Sequence, residues 1–317
     1  MSFNRKIVAL VNEEFENKRI KNESLKDERL SKIYSKIPKI RAIDKELSQT
    51  GANIMALALG SKENLEARIN GLRNKNLELQ KSRSLLLIEH GYSEDYTDLH
   101  YDCPVCQDWG VHNGKLCSCY KNRLIEEQFK LSGISNLVKT QSFETFSLDM
   151  YENKEEMGML LDFAKNYVKD FAKIKDNVLF AGGTGLGKTH LSTAIAKELI
   201  EKGYNVIYET AQNIFFDFDN DRFRDRFSDE EPESTKYLDC DLLIIDDLGS
   251  EAINSFTVSC LYNILNTRLN KGLPVIASTN LSSKEIRVKY HDRITSRLFG
   301  EFNIQMFQGN DLRKIKK

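Results

Sequence analysis

Proline is scarce in this chain. Only 4 of its 317 residues are Pro and 17 are Gly, which excludes collagen-like and low-complexity architectures. Charge of one sign is also missing, with 46 Lys+Arg against 47 Asp+Glu and a formal net charge of −1. A blanket basic coat for nucleic acid is thereby excluded, and any DNA contact must come from a local patch. Long apolar runs are absent. Stretches such as 242–245 fall far short of the roughly 20 residues that span a bilayer, so no membrane partner is expected. The start of the chain has one short apolar run and then turns charged, unlike a secretory signal, and the expected location is cytoplasmic. What remains, 40% hydrophobic and 29% charged residues, is ordinary for a globular protein, and the length suits about two domains.

Cysteine is the lopsided count. Of six, Cys103, Cys106, Cys117 and Cys119 fall within 17 residues, while Cys240 and Cys260 are scattered. In a chain this long the pattern reads as one local metal site plus two ordinary thiols, not as a disulfide framework. The two close pairs flank a ten-residue loop, a spacing that can set four thiolates tetrahedrally around Zn²⁺. Gly110, His112, Asn113 and Gly114 suit a hairpin tip. Cys-x-Cys is tight, so His112, His100 or His90 could replace one thiol. A redox-active pair and plain free thiols are the other readings of the cluster.

Three segments are expected. Residues 1–99 are helical, with Ile33, Ile37, Ile40, Ile43 and Leu47 at helical spacing, a split at Pro38, and breaks near Gly51 and Gly60. A second long helix runs from about Leu65 to Glu89. This segment carries 18 Lys+Arg against 15 Asp+Glu and reads as a plain helical bundle or as a partner-binding module. Residues 100–140 hold the cysteine cluster, a helix from about Lys121, and a linker-like stretch from Thr140. Residues 141–317 alternate strands and helices, which predicts an α/β fold with a parallel sheet covered on both faces.

In that last segment Gly182, Gly183, Thr184, Gly185, Leu186, Gly187, Lys188 and Thr189 run consecutively between a strand and a helix. This is the G-x-x-x-x-G-K-[ST] phosphate loop, whose backbone N–H groups cradle phosphate at a helix N-terminus. ATP is the expected ligand, with Lys188 on its β- and γ-phosphates and Thr189 on Mg²⁺. The apolar run 242–245 delivers Asp246 and Asp247 to a strand end. Asp246 is expected in the Mg²⁺ shell and Asp247 as the group that polarises attacking water, with Glu251 nearby. Asn280 ends the next strand, within reach of water or the γ-phosphate, or is an ordinary strand-end residue. Arg293 and Arg297, four apart, share a helix face. They read as a surface pair or as arginines reaching a neighbouring subunit's γ-phosphate. Between 213 and 237, Phe215, Phe216, Phe218, Phe223 and Phe227 are interleaved with Arg222, Arg224, Arg226 and acids. That mixture suits stacking on single-stranded DNA or simply an amphipathic helix and a solvated loop. Lys284, Arg287, Lys289 and Arg293 are a second candidate for tracking phosphates.

Taken together, these stretches resemble the bacterial replicative helicase loaders, the DnaC/DnaI-like AAA+ ATPases related to IstB and DnaA. The resemblance rests on Ser142-Phe-Glu-Thr-Phe146, the phosphate loop with His190-Leu191, Ile245-Asp-Asp-Leu-Gly249 with Glu251, Ser278-Thr-Asn280, Arg293-Ile-Thr-Ser-Arg-Leu298 and Gly309-Asn-Asp-Leu-Arg313. Tyr34-Ser-Lys-Ile-Pro38 and the cysteines resemble the N-terminal part of zinc-bearing loaders. The resemblance implies an AAA+ ATPase without a C-terminal helical lid. It implies a hexameric DnaB-type replicative helicase as partner of the N-terminal region, single-stranded DNA as a second partner, and ATP-dependent self-assembly. Arg297 would be the arginine finger acting in trans, with Arg293 beside it, and Arg313 would stand in for a sensor arginine. An IstB-like helper of a transposase and a nucleotide-gated adaptor with little hydrolysis are the alternatives.

Overall fold

The computed structural model describes residues 3–59, 65–223 and 232–314. It divides into two compact units, Asn12–Cys119, and Met1–Val11 together with Tyr120–Lys317. The cysteine segment therefore belongs with the long helices, and residues 120–140 with the α/β body, where boundaries at 99 and 140 were expected. Among the described residues no helix is long and apolar enough to cross a membrane.

The helices α1 (Arg5–Lys36), α2 (Pro38–Ser48), α3 (Thr50–Leu59) and α4 (Leu65–Glu89) come first. Pro38 does split the helical run. It takes the first position of α2 after Ile37 leaves helical geometry at φ −130°, where its missing N–H costs nothing. The break expected near Gly51 falls at Gln49, between α2 and α3; Gly60 lies outside the described residues. Ile33, Ile37, Ile40 and Leu87 close a small apolar core flanked by Tyr92 and Tyr96. A polar clamp completes it. Arg83 Nε donates to Asp44 at 2.6 Å and its Nη2 to Thr97 at 2.7 Å, while the Tyr34 hydroxyl donates to Asp44 at 3.1 Å.

After the short hairpin β1 (Val111–His112) and β2 (Lys115–Leu116), the second unit proceeds through α5 (Ser118–Leu131), α6 (Lys154–Asp170), β3 (Asn177–Gly182), α7 (Lys188–Glu201), β4 (Val206–Thr210), α8 (Ala211–Arg222), α9 (Thr235–Asp239), β5 (Leu242–Leu248), α10 (Ser255–Lys271), β6 (Val275–Thr279), α11 (Ser283–Gly300) and β7 (Phe302–Phe307). Five strands in the order β4-β5-β6-β3-β7 pair in parallel throughout. Strand alternation builds a core on each face. Val178, Phe180, Ile244 and Ile276 join α6 and α7, whereas Leu179, Leu243, Ile245 and Ala277 join α8, α10 and α11. Both faces are covered, as the uninterrupted apolar strands require. Strand β7 was not anticipated. Its Phe-Asn-Ile-Gln-Met-Phe alternation carries the period-2 signal, but it lies at the sheet edge, where only Phe302 and Phe307 are buried.

One buried cation holds the far end of the sheet. Arg268 is completely buried, and its guanidinium donates to the carbonyls of Tyr237 (2.8 Å), Pro274 (2.9 Å) and Cys240 (3.0 Å). Arg268→Met removes five donors and takes away this guanidinium from the Tyr237 and Cys240 carbonyls, while the Pro274 carbonyl keeps the Leu243 N–H at 3.3 Å. Since each orphaned acceptor costs about 1–3 kcal/mol, urea unfolding is expected to register a loss of at least about 2 kcal/mol.

Candidate nucleotide site and cysteine centre

The carboxyl ends of β3, β5 and β6 lie side by side, next to the reversal in strand order where open α/β sheets bind ligands. There they border a cleft of about 790 Å³. The loop from β3 to α7 forms its floor. Gly182 (φ 147°) cannot carry a side chain because a Cβ would run into the Phe307 carbonyl of β7. At φ 93°, Gly187 caps α7 against Tyr151 and Phe146. Lys188 is folded back, its Nζ donating to the carbonyls of Gly182 (2.7 Å) and Gly183 (2.6 Å). Burial draws its pKa below the usual lysine range, with Asp246 and Asp247 opposing that shift.

Asp246 is buried and receives three hydroxyls. Tyr208 donates at 2.7 Å and Thr189 at 3.1 Å to one oxygen, and Ser278 donates to the other. Asp247 differs. The β5–β6 register shifts between Ile245 and Leu248, and Asp247 sits in that bulge at φ 55° with its side chain exposed to the cleft. Its backbone N–H donates to Ser278 Oγ at 3.0 Å. Such a bulge re-aims a side chain, so adjacent acids face different surroundings. Asn280 and Arg313 also line the cleft.

Three residues named from the sequence are not in the cleft. Glu251 is not free to act as a base. Its carboxylate accepts the Gly249 N–H at 2.8 Å and the Tyr290 hydroxyl, which ties the loop after β5 to α11. Arg293 is exposed on α11. Arg297 lies over the Tyr262 ring, 4.9 Å from its centroid, and donates to Asn266 Oδ1 at 2.5 Å. Conversely, the stretch from Thr140 is no linker. Thr140, Gln141, Phe146 and Tyr151 wall the cleft beside the phosphate loop. His190 binds this wall through the Ser142 carbonyl at 2.9 Å and Thr145 Oγ1 at 3.1 Å. Tyr208, Phe146 and Tyr151 join the site without having been expected there. Phe146 lay within the family motif; nothing local marked the other two. Of the aromatic insert, Phe216 and Phe223 are exposed and Arg222 lies over the Phe256 ring, while Arg224, Arg226 and Phe227 lie outside the described residues.

In the smaller unit the four clustered thiols converge. The sulfurs of Cys103, Cys106, Cys117 and Cys119 all lie within 4.8 Å of one another; none of the three histidines belongs to the group. The hairpin turns on Asn113 (φ 50°) and Gly114 (φ 72°), the Asn-Gly pair that favours a tight turn with both residues left-handed. Backbone N–H donation from Cys106 brings the Cys103 thiol down to about 7. Four soft donors at this spacing can hold one zinc ion in a closed shell. Asp108 braces the first cysteine turn, accepting the N–H groups of Asp102 and Cys103 at 2.9 Å each. Arg19 of α1 donates to the Asp108 carbonyl at 2.8 Å and stacks 4.4 Å from the centre of the Trp109 ring.

Residues 122–310 match the model of the IstB-like ATP binding protein family. The chain belongs to this family. Among curated relatives, this IstB-like protein is similar to the phage-like element PBSX protein XkdC of Bacillus subtilis (strain 168), at 28% identity over 240 residues, covering 70% of this chain and 86% of the relative. It is also similar to the replicative helicase loader DnaC of Escherichia coli (strain K12), at 28% over 180 residues, covering 56% and 71%. Among solved structures, the crystal structure of the DnaC helicase loader aligns with 52% of the chain and 98% of its own length, at 22% identity and a TM-score of 0.44. Membership in an ATP-binding family makes the cleft a nucleotide site.

Proposed function

We propose that this protein is an ATP-dependent loader of a replicative DNA helicase, acting on single-stranded DNA during initiation or restart of replication in the cytoplasm. The observation that carries the reading is the combination, in a chain similar to DnaC, of a nucleotide cleft with a separate helical unit built around four thiols. In this reading Asn12–Cys119 engages a hexameric DnaB-type helicase. The α/β unit binds ATP and single-stranded DNA and assembles with its own copies. An IstB-like helper of a transposase would use the same engine, but the four-thiol unit favours the loader.

Within the cleft, Lys188 exchanges the Gly182 and Gly183 carbonyls for the β- and γ-phosphates. Thr189 and Asp246, whose oxygens lie 3.1 Å apart, would hold Mg²⁺ through the hard oxygen donors that this ion takes. When bound, that ion neutralises charge building on the phosphates. Asp247, turned outward by the bulge, orients the attacking water, and Asn280 contacts that water or the γ-phosphate. Arg297, with Arg293 beside it, reaches the γ-phosphate of a neighbouring copy. Zinc is held by Cys103, Cys106, Cys117 and Cys119.

The test is co-purification of the full chain with the replicative helicase of its host, with and without ATP, alongside a steady-state ATPase assay on single-stranded DNA. Helicase capture with DNA-stimulated turnover is expected. No capture sinks the loader reading, and tight ATP binding without turnover would favour a nucleotide-gated adaptor. Arg297→Ala is expected to keep ATP affinity while lowering turnover by roughly a thousandfold, the scale of an arginine finger. Full DNA-stimulated activity in that variant would remove Arg297 from the mechanism.

A further inference from the structure

Three hydroxyls converge on the Asp246 carboxylate, and among the described residues its hydrogen-bond partners are all hydroxyls. They are not equivalent. Thr189 is the longest, at 3.1 and 3.5 Å to the two oxygens, and it belongs to the phosphate loop. Tyr208 reaches across from β4 at 2.7 Å, and Ser278 reaches from β6 to the opposite oxygen. Asp246 thus lies between donors from both neighbouring strands. A carboxylate can only accept, so each donor fixes one of its lone-pair directions and leaves the rest for a cation.

The rest of Tyr208 is immobilised. Its ring lies in the core beside α7, and its backbone N–H donates to the Ser132 carbonyl at 3.1 Å. Groups that orient a metal ligand govern its affinity without touching the ion.

We propose that Tyr208 is a positioning residue, holding the Asp246 carboxylate in the orientation that the divalent cation of a bound nucleotide requires. Ser278 serves the opposite oxygen and also accepts the Asp247 N–H, so it aligns both acids. The inference rests on the ATP-binding reading of the cleft.

The experiment titrates Mg²⁺ against binding of a fluorescent ATP analogue to the full chain, with a metal-free arm in chelator. Tyr208→Phe keeps the ring and removes one hydroxyl. It is expected to raise the half-saturating Mg²⁺ concentration about 10- to 100-fold, the range for lost outer-shell partners, while metal-free affinity stays at the wild-type value. Ser278→Ala is expected to move the same midpoint in the same direction. Mg²⁺ curves that superimpose on wild type, with metal-free binding intact, overturn the proposal. If Tyr208→Phe loses metal-free binding through misfolding, Ser278→Ala decides by the same criterion. A wild-type chain that binds no nucleotide overturns the ATP-binding reading, and this inference with it.

Discussion

Lys188→Ala is expected to weaken ATP binding at least about 30-fold while leaving the fold intact. Lys188 is the cation that opens α7, half-buried at the floor of the cleft. Without nucleotide it is satisfied by two loop carbonyls, groups that also face solvent and can be hydrated once the lysine is gone. The folded state therefore loses little. The bound state loses a charge-assisted bond to phosphate in a partly desolvated site, and truncating such a partner costs roughly 2–5 kcal/mol, or from about 30-fold to several thousandfold in affinity. Equilibrium titration with a fluorescent ATP analogue reads the loss, and circular dichroism checks the fold. An affinity within threefold of wild type would show that the lysine does not reach the phosphates.

The second large effect is expected at the cysteines. Cys106→Ser should abolish stoichiometric zinc and unravel the segment around the hairpin, while ATP binding persists. Strands β1 and β2 are two residues each and exposed, far too little to hold a hairpin in water. Without an ion the segment keeps the Asp108 brace, the Arg19 and Asn22 contacts to Asp108 and the exposed Lys18–Asp102 pair. Structural zinc contributes roughly 10–16 kcal/mol of binding energy in small zinc modules, so its loss outweighs that brace. The single tryptophan reports the outcome. Trp109 is exposed but held by its stack on Arg19, and its fluorescence anisotropy should fall in the variant as the segment loosens. The nucleotide cleft is built entirely from the other unit and should be unaffected. Wild-type chain with no zinc by elemental analysis would falsify the assignment.

Much of the fold was legible because its signals are local. The phosphate loop, the apolar strand ending in Asp246, the split at Pro38 and the Asn113-Gly114 turn each depend on residues adjacent in sequence. Strand β7 escaped because an edge strand with few buried residues carries a weak pattern. The wall formed by Thr140 and Phe146 escaped for another reason. Nothing local distinguishes a linker from a loop that folds back onto a site, and the partner that decides it, His190, is 45 residues away from Thr145.

The sequence by itself determined which chemistries are present: a phosphate loop, a pair of acids, four clustered thiols, and charges too balanced to coat DNA. Those follow from residue type and spacing alone. Only the tertiary structure decided how each group is used. Asp246 and Asp247 are neighbours in sequence, yet a one-residue bulge buries the first under three hydroxyls and turns the second into the cleft. Glu251, an equally plausible acid on paper, is held by Gly249 and Tyr290. The role of a carboxylate is set by what donates to it and what solvates it, and those partners come from strands and helices far apart in the chain.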